Sequence, residues 1–234
     1  MKRIYLPIGI DIVADGDVAI TDANAHYITK VLRLNIGDEL EVLMPTKLVR
    51  VKIVAQDKRE VVVRATSARD IIVPDYSFCV YQCLLKREYM DTVVEKLTEI
   101  GATKIVPVIS KHSGALKENA LKRYKSIAVA ATLQSEREQP PEIADDMPIS
   151  DIAIESGGNN ILFYERAPVK TPPVVTSRNI NIVIGPEGGF TDDEALMLAN
   201  KGFDIVSPVS NILKAETAAI VFAGLVMSAL ETSG

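Results

Sequence analysis

The chain has 234 residues, 47% of them apolar and 24% charged, with a formal net charge of −5. That length allows one large domain or two modest ones, with a core that needs no disulfide or metal staple, and the composition excludes a disordered or collagen-like chain. No run reaches the roughly 18 uninterrupted apolar residues of a membrane span, and Met1-Lys-Arg-Ile-Tyr-Leu-Pro7 turns polar too soon for a secretory signal, so a cytoplasmic enzyme or binding protein with no membrane partner is expected.

Residues 1–70 are read as a small β-rich unit. Arg3–Leu6 is a short strand, and Asp22–Arg33 has the helical period of Ala23, Tyr27, Ile28, Val31 and Leu32 behind a Thr21 or Asp22 cap. Glu39–Met44, Val49–Ala55 and Val61–Thr66 follow as strands, which suggests a compact barrel. Asp70–Asp75, with Pro74, is the expected linker. From Tyr76 strand and helix alternate: strand Ser77–Leu85, helix Met90–Ile100 stopped by Gly101, strand Lys104–Ile109 and helix Ala120–Leu133. Strands Asn160–Tyr164 and Asn181–Ile184, helix Asp192–Lys201, strand Asp204–Ser207 and helix Lys214–Leu230 complete the pattern. Residues 138–151 and 167–178 read as loops. The whole over 76–234 is an α/β domain with a mostly parallel sheet.

Charge is unevenly spread. Residues 1–70 carry 11 basic and 10 acidic side chains, residues 86–137 carry 10 and 6, and residues 138–234 carry 5 and 14. The overall sign argues against a general polyanion binder. The basic first 137 residues fit either a selective nucleic-acid contact or solvated helix faces. Cys79 and Cys83 share one face of a strand and read as small buried thiols. His26 and His112 have no cysteine or carboxylate at ligand spacing, so no metal site is expected.

Three stretches hold the candidate chemistry. In Ile182-Val-Ile-Gly-Pro-Glu-Gly-Gly-Phe-Thr-Asp-Asp-Glu194 an apolar strand runs into glycines, then a helix opened by a Thr191/Glu194 capping box. Glycines at a strand's carboxyl end let a ligand approach the backbone, and ligands of open α/β sheets bind at that edge. A tight turn alone would need the same glycines. Neither the dinucleotide fingerprint nor the phosphate loop is present. In Ser207-Pro-Val-Ser-Asn-Ile-Leu-Lys-Ala-Glu-Thr-Ala218 a polar loop enters a helix whose first turn holds Glu216 and Thr217, which a capped helix start also explains. In Gln134-Ser-Glu-Arg-Glu-Gln-Pro-Pro141, Arg137 either caps the helix's last carbonyls or faces an anion.

Taken in order, these stretches resemble the RsmE-type ribosomal RNA uridine-N3 methyltransferases, of the SPOUT class of knotted methyltransferases. The resemblance covers nearly the whole chain. It includes His26, Val31-Leu-Arg-Leu34 and Gly37-Asp38 for a PUA-like barrel, Lys96-Leu-Thr-Glu-Ile-Gly101, Gln134-Ser-Glu-Arg137, Ile184-Gly-Pro-Glu-Gly-Gly-Phe190 and Asn211-Ile-Leu-Lys-Ala-Glu-Thr-Ala218. The chain departs from the family pattern at Pro208-Val209, where Leu-Gly is usual, and at Asn211 and Lys214, where arginines are usual. Leu133 stands for a glutamate, and Met44-Pro-Thr-Lys47 for a glycine turn.

The resemblance implies a PUA-like RNA-binding barrel over 1–70 and a trefoil-knotted SPOUT domain over 76–234. It implies S-adenosylmethionine as cofactor, 16S ribosomal RNA of the small subunit as partner, and a homodimer with its active site at the seam. The cofactor loops would be Phe163, Tyr164 and Glu165; Ile184, Gly185, Pro186, Glu187, Gly188 and Gly189; and Val206, Pro208, Ile212, Leu213 and Thr217. A side chain at Gly188 is expected to crowd the cofactor while the fold survives. Glu216 is expected to orient the base or take its proton. Lys214 would hold a phosphate or the uracil edge, with Asn211 beside it. Arg137 would contact the substrate or steady the imide anion, from within the chain or across a dimer seam. Two other readings remain open: a non-catalytic RNA-binding protein of the same fold, favoured by Asn211, and a Rossmann-like small-molecule enzyme.

Overall fold

The computed structural model describes residues 1–7, 12, 16–57, 59–154, 156–167 and 170–232. They form two compact units: Met1–Val73 with Glu136–Gln139, and Pro74–Ser135 with Pro140–Gly234.

Unit 1 is a mixed five-stranded sheet in the order β1 (Arg3–Tyr5), β3 (Glu39–Leu43), β4 (Lys47–Gln56), β5 (Glu60–Asp70), β2 (Asp17–Thr21). Among the described residues of this unit, only β1 and β3 pair in parallel. Two register shifts in the β4–β5 ladder bend these long strands into a half-barrel. Val49, Val51, Ile53, Val61 and Val63 point inward onto Ile20 and Ile28. The expected helix after Thr21 is instead a short α1 (Asp22–His26) that widens into a π-helical turn, Tyr27–Val31. The Thr21 side chain makes no cap bond to this helix. Strand β2 escaped the sequence reading: Asp17–Thr21 shows only Val18, Ala19 and Ile20 as a brief apolar run.

Unit 2 is a seven-stranded sheet whose ladders are all parallel among the described residues. Its order is β12 (Asp204–Val206), β10 (Asn159–Phe163), β11 (Asn179–Ile184), β6 (Ser77–Cys83), β7 (Lys104–Ile109), β8 (Glu142–Ile143), with β9 (Met147–Pro148) also on β7. Strands buried on both faces explain the continuous apolar runs of β6 and β11. Phe78, Val80, Ile180, Ile182 and Ile184 face α2 (Arg87–Ile100), α3 (Ala120–Gln134) and α5 (Ala215–Thr232). Cys79, Cys83, Leu162 and Val183 face Ala195 and Leu198 of α4 (Asp192–Lys201). Residues 138–151 are not the plain loop expected: they hold β8, β9 and a 3₁₀ turn, Ile149–Asp151. Residues 167–178 carry no helix or strand at their described positions.

Helix α5 is long and apolar enough, by length and composition, to cross a membrane. Its Ala219, Phe222, Ala223 and Val226 are buried in the core of unit 2, as befits the central helix of an α/β layer. Helix α3 ends at Gln134, where the Ser135 hydroxyl donates to the Ala131 carbonyl at 2.8 Å. Glu136 then turns at φ +59°, and the next residues join unit 1. There Arg3 donates to the Arg137 carbonyl at 3.3 Å. Arg69 pairs with Glu138, and the Ile72 N–H donates to the same carboxylate at 2.6 Å.

Candidate active site at the strand ends of unit 2

Parallel strands bring the loops after β10, β11 and β12 to one edge, and a cavity of about 260 Å³ opens among them. Its apolar wall is Phe163, Ile184, Ile212, Leu213 and Phe222. Phe163 and Phe222 stack at 4.3 Å between ring centroids, 17° from parallel. Its polar side is the main chain of Gly185–Gly189, with Glu165, Asn211 and Ser207.

Each loop is held from outside the cavity. The Gly189 N–H closes the turn onto the Pro186 carbonyl at 3.0 Å, at φ +69°. The Gly189 carbonyl meets His112 Nδ1 at 3.1 Å. Gln82, fully buried at the end of β6, donates to the Cys83 carbonyl at 2.9 Å and reaches the Gly185 carbonyl at 3.5 Å. Lys170 ties the other two loops together, donating to the Glu165 carbonyl at 2.8 Å and to Ser207 Oγ at 3.0 Å.

The capping box read from the sequence is present. The Thr191 N–H donates to Glu194 Oε2 at 2.9 Å, and the Glu194 N–H to Thr191 Oγ1 at 3.2 Å. The Thr191 hydroxyl and the Lys111 N–H also donate to that carboxylate, at 3.0 and 2.8 Å. Burial pushes the Glu194 carboxyl up, but the Lys111 and Thr191 donors outweigh it and hold it below the ordinary range. Burial and the bond to Asp192 raise the Tyr164 hydroxyl. Burial drives the Cys83 thiol up to about 12, so it is inert core, as expected.

Of the expected cofactor residues, Phe163, Tyr164, Glu165, Ile184, Gly185, Pro186, Glu187, Gly188, Gly189, Ile212 and Leu213 all line this cavity, and so does Asn211. Val206, Pro208, Lys214, Glu216 and Thr217 are outside its lining, and Arg137 belongs to unit 1. A Cβ at Gly188 would also lie 2.9 Å from His112 Cβ, so a side chain there strains the turn against the protein itself. The lining also takes in Phe190, Ser207, Val209, Ala215 and Ala218, all within the stretches singled out from the sequence, while Phe222 in the lining and Gln82 and Lys170 as struts were missed. Phe222 and Gln82 come from elements far away in sequence.

Enclosure by a glycine turn and two further strand ends, over an aromatic floor, defines an α/β unit that binds a nucleoside-like ligand at its carboxyl edge. Residues 74–227 match the family of the RNA methyltransferase domain, and residues 20–65 that of the RNA methyltransferase PUA domain. The chain is 33% identical to ribosomal RNA small subunit methyltransferase E of Aquifex aeolicus, over 85% of this chain and 89% of that one. It is 30% identical to the protein of that name from Rickettsia conorii, over 86% and 84%. A methyltransferase of Legionella pneumophila, solved in complex with its bound cofactor SAM, superposes with a TM-score of 0.86 at 26% identity, over 100% of this chain and 98% of that one. The chain belongs to the ribosomal RNA small subunit methyltransferase E family.

Proposed function

We propose that this protein transfers a methyl group from S-adenosylmethionine to N3 of a uridine in small-subunit (16S) ribosomal RNA, as a cytoplasmic homodimer. The observation that carries this reading is the convergence of three strand-end loops on one cavity, in a chain of the methyltransferase E family. The residues present fit the cofactor. The apolar wall of Phe163, Phe222, Ile184 and Leu213 suits a purine, and main-chain groups of Gly185–Gly189 suit its polar edge. Ile212, 83% exposed on the rim, is an apolar side chain waiting for cover.

When bound, the cofactor supplies an electrophilic methyl group on a sulfonium. The protein's part is to hold the target ring in line with it and to receive the N3 proton. Asn211 is the polar side chain of the closing motif that reaches the cavity, and it orients the substrate. Lys214 immediately precedes α5 and Glu216 stands in its first turn; we assign Lys214 to phosphate or base contact and Glu216 to proton transfer. Val206, Pro208 and Thr217 shape the loop behind the cofactor, and Arg137 serves the RNA. The homodimer is supported by α5, which leaves Leu225 38% exposed next to partly buried Ile220 and Val221. Light scattering at micromolar concentration should give a dimer mass.

The test of function is transfer of labelled methyl from S-adenosylmethionine to small ribosomal subunits and to naked 16S RNA, followed by nucleoside mapping. N3-methyluridine is the expected product. Tight cofactor binding without transfer to either substrate would instead favour the non-catalytic RNA-binding reading that Asn211 raises.

A further inference from the structure

A second cavity, of about 460 Å³, lies in unit 2 where the chain leaves β6 and where the loop after β7 enters α3. Its wall is apolar, built by Leu84, Leu85 and Leu116. Its rim carries four cations, Lys86, Arg87, Lys117 and Arg123, against Glu88 and Glu187. In a chain of net charge −5 such a rim draws anions locally. Arg123 and Arg87 both face Asp91, at 2.9 and 4.0 Å. Among the described residues no carboxylate pairs with Lys86 or Lys117, so two ammonium groups stand at the mouth of an apolar slot.

Glu187 joins this cavity to the first, because it lines both. Its Oε1 accepts from the Lys86 N–H at 3.3 Å. Its Oε2 is left without a hydrogen-bond partner among the described residues.

We propose that the second cavity is the subsite for the target nucleotide, a uridine monophosphate unit of the RNA, with the Glu187 carboxylate accepting its N3–H. The inference rests on the uridine-N3 reading above and names the part of the site that serves the substrate. An unstacked pyrimidine needs an apolar wall, which the three leucines give. Its phosphate needs point charges, which Lys86 and Lys117 give. Selection follows from hydrogen-bond polarity: uracil N3 carries a donor, whereas cytosine N3 is an acceptor and meets a carboxylate with repulsion.

The experiment titrates uridine 5′-monophosphate into the cofactor-free protein and follows backbone amide shifts by NMR. Shifts should cluster at Lys86, Leu116, Lys117 and Glu187, and cytidine 5′-monophosphate should bind at least about tenfold more weakly. Lys117→Glu should weaken both nucleotides, and Glu187→Ala should bring the two to equal affinity. Cofactor affinity and melting temperature of Lys117→Glu check that the fold is intact. Shifts confined to other residues, or equal affinity of the two nucleotides for the unaltered protein, overturn the proposal. Nucleoside mapping with the unaltered protein judges the parent reading separately. N3-methyluridine formed without a nucleotide in this cavity sinks the subsite alone. A nucleotide bound here while methylation falls on another atom sinks the parent reading and leaves the subsite standing.

Discussion

The turn after β11 and the segment after β12 line the same cavity but are built differently. Gly185–Gly189 is locked: its own 3.0 Å turn bond, His112, Gln82 and the Glu194 capping box hold it from every side. In the segment after β12, Ser210, Asn211 and Ile212 are exposed, and Ser207 makes its anchoring bonds to Val209 and Lys170. The string Ile184–Phe190, which matches the family unbroken, holds the locked turn, and the departures Pro208, Val209, Asn211 and Lys214 fall in the segment after β12, the first two half-buried and the last two exposed. Where a turn is tied to its surroundings by several such bonds, most substitutions disturb the fold. Where side chains meet solvent or substrate, sequence can change at little cost in stability, and chemistry alone decides what is kept.

The most damaging change to this contrast removes what lies under both loops. Phe222→Ala deletes a buried ring stacked on Phe163 and should cost about 3–5 kcal/mol, read by urea denaturation. Cofactor affinity should fall in the same variant, because the floor of the slot is gone. A loss under about 1 kcal/mol would mean that the two loops do not share this floor.

Next comes the locked turn. Gly188→Val presses a side chain against His112 and should cost about 1–3 kcal/mol through overpacking. Gly188→Val with His112→Gly, which removes the Cβ that the new side chain meets, should recover part of that loss. If the double variant regains stability but not cofactor binding, the added side chain also blocks the ligand. If it regains both, the glycine serves only the protein's own packing.

Much of this architecture was legible in the sequence, for physical reasons tied to particular residues. The strand Ile182–Ile184, the glycines behind it and the Thr191/Glu194 box are local signals, so strand, turn and helix start could be read in place. The closing helix was legible from the apolar run Ala218–Leu230. Strand β2 was not, because Asp17 and Thr21 frame only three apolar residues and its pairing with β5 lies forty residues away. The struts Gln82 and Lys170 were hidden for the same reason: each acts through a long-range contact that no local pattern encodes. The short strands β8 and β9 exist only because β7 offers its edge.

A smaller effect tests the capping box through pH. The Glu194 carboxyl is held below the ordinary range by the N–H donors that overcome its burial. A carboxyl depressed in the folded state stabilises fully above its unfolded value, about 4.3, and loses that contribution as pH falls through the lower folded value. Thr191→Ala should cost about 1 kcal/mol at neutral pH. The difference between Glu194→Gln and the unaltered protein should shrink on acidification below about pH 4. A difference that stays constant through and well below that range would show that the charge on Glu194 contributes nothing to the lock.

The smallest expected effect on stability is also the sharpest on function, and it falls in the exposed segment. Ile212 presents 83% of its surface to solvent, so replacing it removes almost no buried area. Ile212→Ser should therefore leave the denaturation midpoint within about 0.5 kcal/mol of the unaltered protein. If the side chain closes over a bound nucleoside, complex formation buries it. Losing that contact should weaken S-adenosylmethionine by roughly 1–2 kcal/mol, or about five- to thirtyfold, in a calorimetric titration. Ile212→Val keeps most of the apolar surface and should fall between the two. Equal affinities in all three proteins would leave Ile212 a bystander and move the apolar lid of the cavity to Leu213, which already lies partly packed against the core.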